Sequence, residues 1–268
     1  ISRGLVGSEM CIRDRILNQV AAWVEPGDLD LPGYKPTTEP NPKMVQQASS
    51  LIKKSKKPIL YVGGGIIHSK ANNELFELAT KFNIPVVTTL MGRGAFPDGH
   101  ELCLEMPGMH GNYTATTSIQ NADLLIAIGV RFDDRVTANP SFFAQNAKVI
   151  HADIDPAEIG KVRDAQVPIV GDAKSVIKGL IEALGDEKLD TENWVSELKE
   201  MKTEFPLSYK QEDKGPLKVP YVLEELQKLT KEEAIVVAGV GQHQMWVSQH
   251  WNFTEPNTWL NSGGLGLS

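Results

Sequence analysis

The chain has 268 residues, which is enough for one large or two small domains. Hydrophobic residues make up 41% and charged residues 23%, as in ordinary globular proteins, and no apolar stretch approaches the roughly 20 residues of a membrane helix. The net charge of −7 argues against a nucleic-acid partner. The only two cysteines, Cys11 and Cys103, argue against a disulfide framework and indicate a reducing compartment.

The two ends of the chain look foreign to a folded domain. Residues 1–15 show neither a periodic apolar pattern nor a helix cap, and their charges interrupt any signal-peptide core. We interpret them as a non-native scar, such as a translated sequencing adapter. Residues 16–42 are predicted to be the end of a preceding domain and a linker rich in proline and glycine. The chain stops in a glycine-rich turn over 263–268, so we expect a fragment of a longer protein.

A repeating alternation of strands and helices follows the linker. In chain order we predict a helix over 42–56, a buried strand over 58–62, a helix capped by Ser69 and ending near Phe82, a strand over 84–89, a helix over 113–121, strands over 122–128 and 148–153, a short helix opened by Asp155, a strand over 167–170 and a helix over 173–184. This alternation implies right-handed crossovers. We therefore expect an α/β protein with a doubly wound parallel sheet, a Rossmann-like central domain over residues 43–184.

A second α/β unit is predicted near the end of the chain. Residues 185–218 are polar and irregular, and we interpret them as a linker that holds an exposed helix from Trp194 to Phe205. A helix over 220–229 and a strand over 234–238 then lead through Gly239-Val240-Gly241 into a helix over 242–249. We expect residues 219–268 to be the truncated start of a second domain.

Glycine and charged residues follow four of the predicted strands. These segments are Gly63-Gly64-Gly65, Thr88–Gly94, Gly129–Val136 and Asp153–Asp155. The carboxyl ends of strands in a doubly wound sheet line one crevice, which is where such sheets bind ligands. Glycine lets the backbone approach a pyrophosphate closely, arginines pair with phosphate, and an acidic strand end binds a ribose hydroxyl. The combination predicts a site for an adenine dinucleotide.

Each of these segments has a simpler interpretation that the residues alone leave open. The triple glycine is also consistent with a plain strand-to-helix turn, and the Arg/Asp run with a surface ion-pair cluster. His110 is equally consistent with an ordinary loop histidine, and Met91 and Met109 with side chains that fill core gaps. His68 is interpreted as a surface residue.

In combination, residues 58–172 resemble the central, FAD-binding domain of the acetolactate synthase (acetohydroxyacid synthase) family. The segments that carry the resemblance are Gly63–Gly65, Thr88–Gly92, Pro107–Gly111, Gly129–Arg135, Asp153–Pro156 and Gly171-Asp172. The linker over 31–38 resembles the segment that precedes this domain. Residues 239–246 and 262–266 resemble the opening of the thiamine-diphosphate domain.

The resemblance implies a transferase of branched-chain amino acid biosynthesis (isoleucine, valine and leucine) that depends on thiamine diphosphate and Mg²⁺. It would condense two pyruvates, or pyruvate and 2-oxobutanoate, with loss of CO₂, and would carry a structural FAD. It further implies a homodimer or homotetramer with a possible regulatory small subunit. The location would be the cytoplasm for a bacterial source and the plastid for a eukaryotic one.

The resemblance also implies contacts with FAD and with thiamine diphosphate. Those with FAD come from Gly63, Gly64, Gly65, Thr89, Leu90, Met109, His110, Gly129, Arg131, Asp133, Arg135, Asp153, Ile154 and Asp172. Those with thiamine diphosphate come from Val240, Gly241, Gln242 and His243. The family's activating glutamate and its Mg²⁺ ligands would lie outside this chain, and Leu267-Ser268 replace the family's Thr-Met. We therefore assign no catalytic or metal-binding residue and expect the polypeptide by itself to be inactive.

Two other classes of function stay open. One is another FAD-containing thiamine-diphosphate enzyme, of the pyruvate oxidase or glyoxylate carboligase type. The other is a non-catalytic nucleotide-binding module built on the same sheet. The segment Gln242–Trp246 favours acetolactate synthase, and an assay for hydrogen peroxide separates it from an oxidase.

Overall fold

The computed structural model describes residues 33–230 and 234–263, together with residues 19, 20, 22, 23, 25 and 27. The predicted scar over 1–15, most of the predicted linker before residue 33 and the glycine-rich turn after Gly263 lie outside the described residues. The chain divides into two units, Ile1–Lys35 and Pro36–Ser268, and every element named below belongs to the second. Within the described ranges, no helix is long and apolar enough to cross a membrane.

Five parallel strands form the central sheet. They are β1 (Pro58–Val62), β2 (Val86–Thr88), β3 (Leu124–Ile128), β4 (Lys148–Asp153) and β5 (Val167–Val170). Their order is β2-β1-β3-β4-β5, and β1 and β3 are buried along their whole length. Because β2 lies on one side of β1 and β3 lies on the other, the carboxyl ends of β1 and β3 form the topological switch point.

Helices cover both faces of this sheet. They are α1 (Pro42–Ile52), α2 (Gly64–His68), α3 (Asn72–Phe82), α4 (Tyr113–Asn121), α5 (Asp134–Thr137), α6 (Ala173–Leu184) and α7 (Glu192–Glu204). One core cluster joins α1, α3 and α6 to the face that carries Leu60 and Ile126. The other joins α4 and α7 to the face that carries Ile59 and Leu125. The predicted doubly wound α/β architecture is confirmed.

Local sequence explains several of the helix boundaries. The Asn41 side chain accepts a hydrogen bond from the Lys43 backbone N–H at 2.9 Å, and Pro42 occupies the first turn of α1. Asp172 caps α6 in the same way, through its bond to the Lys174 N–H at 3.0 Å. Asn83 ends α3 in the left-handed conformation, with φ of +52°.

Two predicted helix starts were wrong. Ser69 does not cap α3, because it directly follows the separate short helix α2, and α3 begins only at Asn72. The predicted helix at Asp155 is a series of turns. The Asp155 carboxylate accepts a hydrogen bond from the Ala157 N–H at 2.9 Å, which is the local bonding that lets aspartate stabilise a turn as readily as a helix start.

The helix expected to be exposed, α7, packs one face against the sheet instead. Trp194, Val195 and Leu198 are buried, and the Trp194 indole N–H donates to the Pro58 carbonyl oxygen at 3.2 Å. The polar composition of the surrounding residues concealed this short apolar stripe. The predicted domain boundaries themselves stay a prediction.

The second predicted α/β unit consists of two helices and two strands in the described residues. They are α8 (Val219–Thr230), β6 (Val236–Ala238), α9 (Gln242–His250) and β7 (Trp259–Asn261). Strands β6 and β7 pair in parallel, although β7 was not predicted. Their small core contains Trp251, Phe253 and Trp259.

Candidate functional site

The carboxyl ends of β1 and β3 meet backbone to backbone. A Cβ atom at Gly63 would lie 2.4 Å from the Gly129 carbonyl oxygen, and one at Gly65 would lie 2.6 Å from the Gly129 Cα. Gly129 has φ of +61°, a conformation that favours glycine. A Cβ at Gly64 would meet nothing closer than the Met91 carbonyl oxygen, at 3.4 Å. Gly63 and Gly65 are thus required by the packing of the fold, whereas Gly64 is not.

A cavity of about 460 Å³ opens at this switch point, within the size range of small-molecule pockets. Eight residues predicted to contact FAD line it: Gly64, Gly65, Thr89, Leu90, Gly129, Arg131, Asp133 and Arg135. A larger cavity of about 740 Å³ has Arg93, Lys202 and Gln227 in its walls. None of the predicted cofactor residues lines that larger cavity, so its size alone does not make it the candidate site.

The two arginines give the switch-point cavity a positively charged wall. The Arg131 Nη2 atom lies 3.0 Å from Asp133 Oδ2, and both side chains are substantially exposed. Arg135 is exposed, and no carboxylate of the described residues lies within 4.0 Å of its guanidinium. The interpretation as a surface ion-pair cluster therefore describes Arg131 and Asp133 only, and Arg135 is placed to pair with an anionic ligand.

A buried phenylalanine anchors this charged segment. Phe132 has φ of +53°, which is uncommon for a residue with a side chain, and it is 2% exposed. Its ring lies 5.6 Å from the Tyr61 ring and 5.0 Å from the His151 ring, measured between centroids. Because the aromatic contact holds Phe132 inward, Arg131 and Asp133 on either side remain at the surface.

The loop Pro107–Gly111 packs against the same segment. The Met109 N–H donates to the Arg135 carbonyl oxygen at 2.9 Å, and Gly108 has φ of +99° where it passes Arg135. Met109 is 66% exposed, and Met91 is 40% exposed, so neither fills a core gap. His110 is exposed, and its carbonyl oxygen accepts a hydrogen bond from Gln249 Nε2 at 2.7 Å.

Three predicted FAD contacts lie farther along the sheet edge and do not line the cavity. Asp153 is the last residue of β4 and Ile154 follows it, and the Asp153 carboxylate accepts a hydrogen bond from the Asp155 N–H at 2.9 Å. Asp172 follows β5, and its Oδ1 atom accepts the hydrogen bonds that cap α6. Gly63 also lies outside the cavity lining.

The predicted thiamine-diphosphate residues form a turn between β6 and α9. Gly241 has φ of +151°, and its N–H donates to Gln244 Oε1 at 3.4 Å. Gln242 and His243 are exposed at the start of α9, and no side chain of the described residues caps the first N–H groups of this helix apart from that glutamine contact. A helix that starts in this way after a strand is suited to bind phosphate.

Burial shifts the pKa of three groups around the switch point. It raises the pKa of Tyr61 well above its ordinary range, and the nearby Asp133 charge adds to that shift. The Tyr61 hydroxyl has no hydrogen-bond partner among the described residues. Burial also raises the pKa of Asp153 and lowers the pKa of His151, whose Nε2 lies 2.9 Å from the Val130 carbonyl oxygen.

Several residues of the cavity wall escaped sequence reasoning. His68, interpreted as a surface residue, lines the cavity, as do Tyr61 and Met91. Ser262 and Gly263 also line it, although they follow β7 of the separate two-stranded sheet. The Trp259 indole N–H donates to the Leu90 carbonyl oxygen at 3.0 Å and attaches that segment to the cavity. No local sequence signal identifies a wall contributed from so far along the chain.

Two family models of known protein domains match this chain. Residues 45–180 match the model of the thiamine pyrophosphate enzyme central domain, and residues 239–268 match that of the C-terminal TPP binding domain. The chain is 51% identical over 254 residues to the acetolactate synthase large subunit of Corynebacterium glutamicum, an alignment that covers 94% of this chain and 41% of that protein.

The chain is also similar to acetolactate synthases of an archaeon and a plant. The chain is 44% identical to a probable acetolactate synthase large subunit of Methanocaldococcus jannaschii, over 90% of this chain and 42% of the relative. It is 45% identical to acetolactate synthase 2, chloroplastic, of Nicotiana tabacum, over 91% of this chain and 37% of the relative. The chain thus spans about two fifths of the length of these relatives. Because the central-domain match alone covers half of the sequence, the chain belongs to the thiamine pyrophosphate enzyme family.

Proposed function

We propose that the protein containing this chain is the catalytic subunit of an acetolactate synthase. It would condense two pyruvates, or pyruvate and 2-oxobutanoate, with loss of CO₂ in branched-chain amino acid biosynthesis. The observation that carries this proposal is the alignment of 254 residues at 51% identity, which runs through both matched domains. The names of the bacterial, archaeal and plant relatives all include acetolactate synthase.

The switch-point cavity is the proposed site of FAD. Gly64 leaves room at the wall, and Arg131 and Arg135 present guanidinium groups that suit a pyrophosphate. Thr89 and Leu90 provide a further part of the wall. Gly63, Gly65 and Gly129 would contribute indirectly, because they allow the two strand ends to approach.

The remaining proposed FAD contacts surround that cavity. Met109 and His110 would contact the cofactor from the loop that packs on Arg135. Asp153, Ile154 and Asp172 would contact the adenosine half, since β4 and β5 end beside β3 on the same sheet edge. Asp172 would do so through its Oδ2 atom, because Oδ1 caps α6 and the backbone N–H and carbonyl oxygen are bonded to Thr38 and Val176.

Val240, Gly241, Gln242 and His243 are the proposed contacts of thiamine diphosphate. The turn is open, and the exposed start of α9 suits the diphosphate. When bound, thiamine diphosphate would supply the electron sink that stabilises the carbanion left by the loss of CO₂. The described residues contain no group of three or more His, Cys, Asp or Glu that could hold a metal ion, so Mg²⁺ is proposed from the family resemblance alone. A homodimer or homotetramer, a regulatory small subunit and the compartment also stay predictions.

Activity of the complete protein tests the proposal. Purified protein supplied with FAD, thiamine diphosphate and Mg²⁺ is expected to convert pyruvate to acetolactate and CO₂ without consuming oxygen. Formation of hydrogen peroxide would instead indicate a pyruvate oxidase, and turnover of glyoxylate in preference to pyruvate would indicate a glyoxylate carboligase. A colourless protein that takes up no flavin would refute the assigned FAD site.

A charge variant tests the FAD site separately. Arg135→Gln removes a guanidinium that has no carboxylate within 4.0 Å among the described residues. Hydrogen bonds to charged groups contribute about 1.5–3 kcal/mol, so FAD affinity is expected to fall about tenfold to hundredfold. Lys178→Gln is the matched control, because Lys178 is exposed and lies on α6 outside the cavity lining. Equal affinities of the two variants would contradict the proposed role of Arg135.

A further inference from the structure

The side chain of Asn261 joins three chain segments near the proposed cofactor sites. Its Oδ1 atom accepts hydrogen bonds from Gln244 Nε2 at 2.9 Å and from the Gly263 N–H at 2.7 Å. Its Nδ2 atom donates to the Ala238 carbonyl oxygen at 3.1 Å. Both ends of one amide are therefore used, and the amide fixes the end of β6, the first turn of α9 and the segment after β7 relative to each other.

On one side these bonds lead to the proposed thiamine-diphosphate turn. Gln244 is 2% exposed, and its Oε1 atom accepts the hydrogen bond from the Gly241 N–H at 3.4 Å. Ala238 is the residue immediately before the turn Gly239–Gly241. The conformation of the turn is thus held from both of its ends by groups that Asn261 orients.

On the other side the bonds lead to the proposed FAD cavity. Gly263 lines that cavity, and a Cβ at Gly263 would lie 3.1 Å from Met91 Sδ. Trp259, two residues before Asn261, is bonded to the Leu90 carbonyl oxygen in the same cavity wall. The position of the Ser262-Gly263 wall therefore depends on the direction in which Asn261 holds the chain.

We propose that Asn261 is a positioning residue that couples the two cofactor sites, so that FAD and thiamine diphosphate each strengthen the binding of the other. This inference rests on the proposed function. A cofactor at either site favours the one arrangement of the Asn261 hydrogen bonds in which both the turn and the wall are in place. The other cofactor then binds a site that is already ordered, which gives a reciprocal coupling.

The test measures FAD affinity of the complete enzyme by flavin fluorescence, with and without saturating thiamine diphosphate and Mg²⁺. The ratio of the two dissociation constants is the coupling, and we expect it to be on the order of tenfold in the unmodified enzyme. Asn261→Ala is expected to reduce it below about twofold, within the range of no coupling. Gln244→Ala is expected to do the same, and the double variant to add nothing further.

Two further variants separate positioning from general loosening of the fold. Thr258→Ala, just before β7, removes a hydroxyl that donates only to the Glu255 carbonyl oxygen, so the coupling is expected to stay at the unmodified value. Asn261→Asp is nearly isosteric but cannot donate to the Ala238 carbonyl oxygen. It tests the role of Asn261 if Asn261→Ala does not fold. A variant that only lowers the Tm weakens both dissociation constants and leaves their ratio unchanged.

The outcomes distinguish this inference from the proposed function. An unmodified enzyme that binds neither cofactor overturns both. An enzyme that binds both cofactors but shows a ratio of one, or retains its ratio in both Asn261 variants, overturns only the role of Asn261. Loss of the ratio in the Asn261 and Gln244 variants, with Thr258→Ala unchanged, supports it.

Discussion

The triple glycine offers a sharp test of the structure, because its members have different neighbours. A methyl group at Gly65 would lie 2.6 Å from the Gly129 Cα, whereas one at Gly64 would lie 3.4 Å from the Met91 carbonyl oxygen. We therefore expect Gly65→Ala to destabilise the fold and Gly64→Ala to leave it folded. Since Gly64 lines the switch-point cavity, Gly64→Ala is nevertheless expected to weaken FAD binding.

The size of the difference follows from the contacts. Carbon atoms pack best at about 3.5–4.0 Å, so Gly65→Ala must push the ends of β1 and β3 apart by about 1 Å. Overpacking of this kind costs about 1–3 kcal/mol, and the hydrogen bond from the Gly65 N–H to the Gly129 oxygen at 3.3 Å would weaken as well. At either position alanine gains roughly 1 kcal/mol over glycine in a helix. We expect the two variants to differ by about 3 kcal/mol in the free energy of unfolding.

Thermal unfolding followed by circular dichroism measures this difference. For a chain of this size, about 3 kcal/mol corresponds to a Tm difference of about 6–12 °C. Flavin retention after desalting reports the cavity independently of the Tm. Equal Tm values for the two variants would refute the inferred close approach of the strand ends, and full flavin retention by Gly64→Ala would refute the place of Gly64 in the cavity wall.

Three other predictions concern buried or half-buried groups. Asp98 is paired with Arg93 at 2.6 Å, and both side chains are at most 2% exposed, so Asp98→Ala is expected to cost about 3–5 kcal/mol by chemical denaturation. The double variant Arg93→Met, Asp98→Leu should recover only part of that loss, because the Phe253 N–H that donates to Asp98 stays unpaired. Burial raises the pKa of Asp153, so the native state binds this proton more tightly than the unfolded state and loses stability as pH rises from about 4 through the raised pKa. Asp153→Asn should therefore have a higher Tm than the unmodified protein, by a margin that grows over that interval, and a margin independent of pH would contradict the prediction. Trp259→Phe leaves the Leu90 carbonyl oxygen unpaired, which is expected to weaken FAD binding about fivefold in a fluorescence titration.

The regular part of the fold was readable from the sequence because its signals are local. The strands at Pro58–Val62 and Lys148–Asp153 are short apolar runs, and α6 begins at an aspartate cap. Both strands and the helix were predicted with the boundaries that the structure has. The doubly wound parallel sheet was also predicted, since alternation of strands and helices leaves few topologies, whereas the order β2-β1-β3-β4-β5 became visible only in the structure.

The errors occurred where tertiary contacts outweigh local preference. Ser69 and Asp155 both carry side chains that stabilise turns as well as helix starts, and only the surrounding chain decides between these uses. Trp194 lies in a segment whose average composition is polar, yet its indole packs on the sheet and bonds to Pro58. Composition averaged over a window therefore concealed a contact made by a few side chains.

The candidate site also combines residues that the sequence identified with distinctions that only the structure makes. Gly64, Arg131 and Arg135 were identified because strand ends in a doubly wound sheet converge on one edge. Sequence reasoning treated the three glycines alike, although the structure separates Gly64 at the cavity wall from Gly65 against Gly129. That distinction needs the distance between two strands, which no local pattern contains.

The least predictable part of the site is the wall that β7 supplies. Ser262 and Gly263 follow β7 of the two-stranded sheet, yet they line the cavity at the switch point of the five-stranded sheet. Their position depends on the Trp259 bond to Leu90 and on the Asn261 amide, which also bonds Gln244 at the start of α9. A flavin in this cavity would therefore contact the same short segment that orders the thiamine turn. Under the proposed function, this shared segment would give a structural FAD a physical means to influence a reaction in which it need not take part.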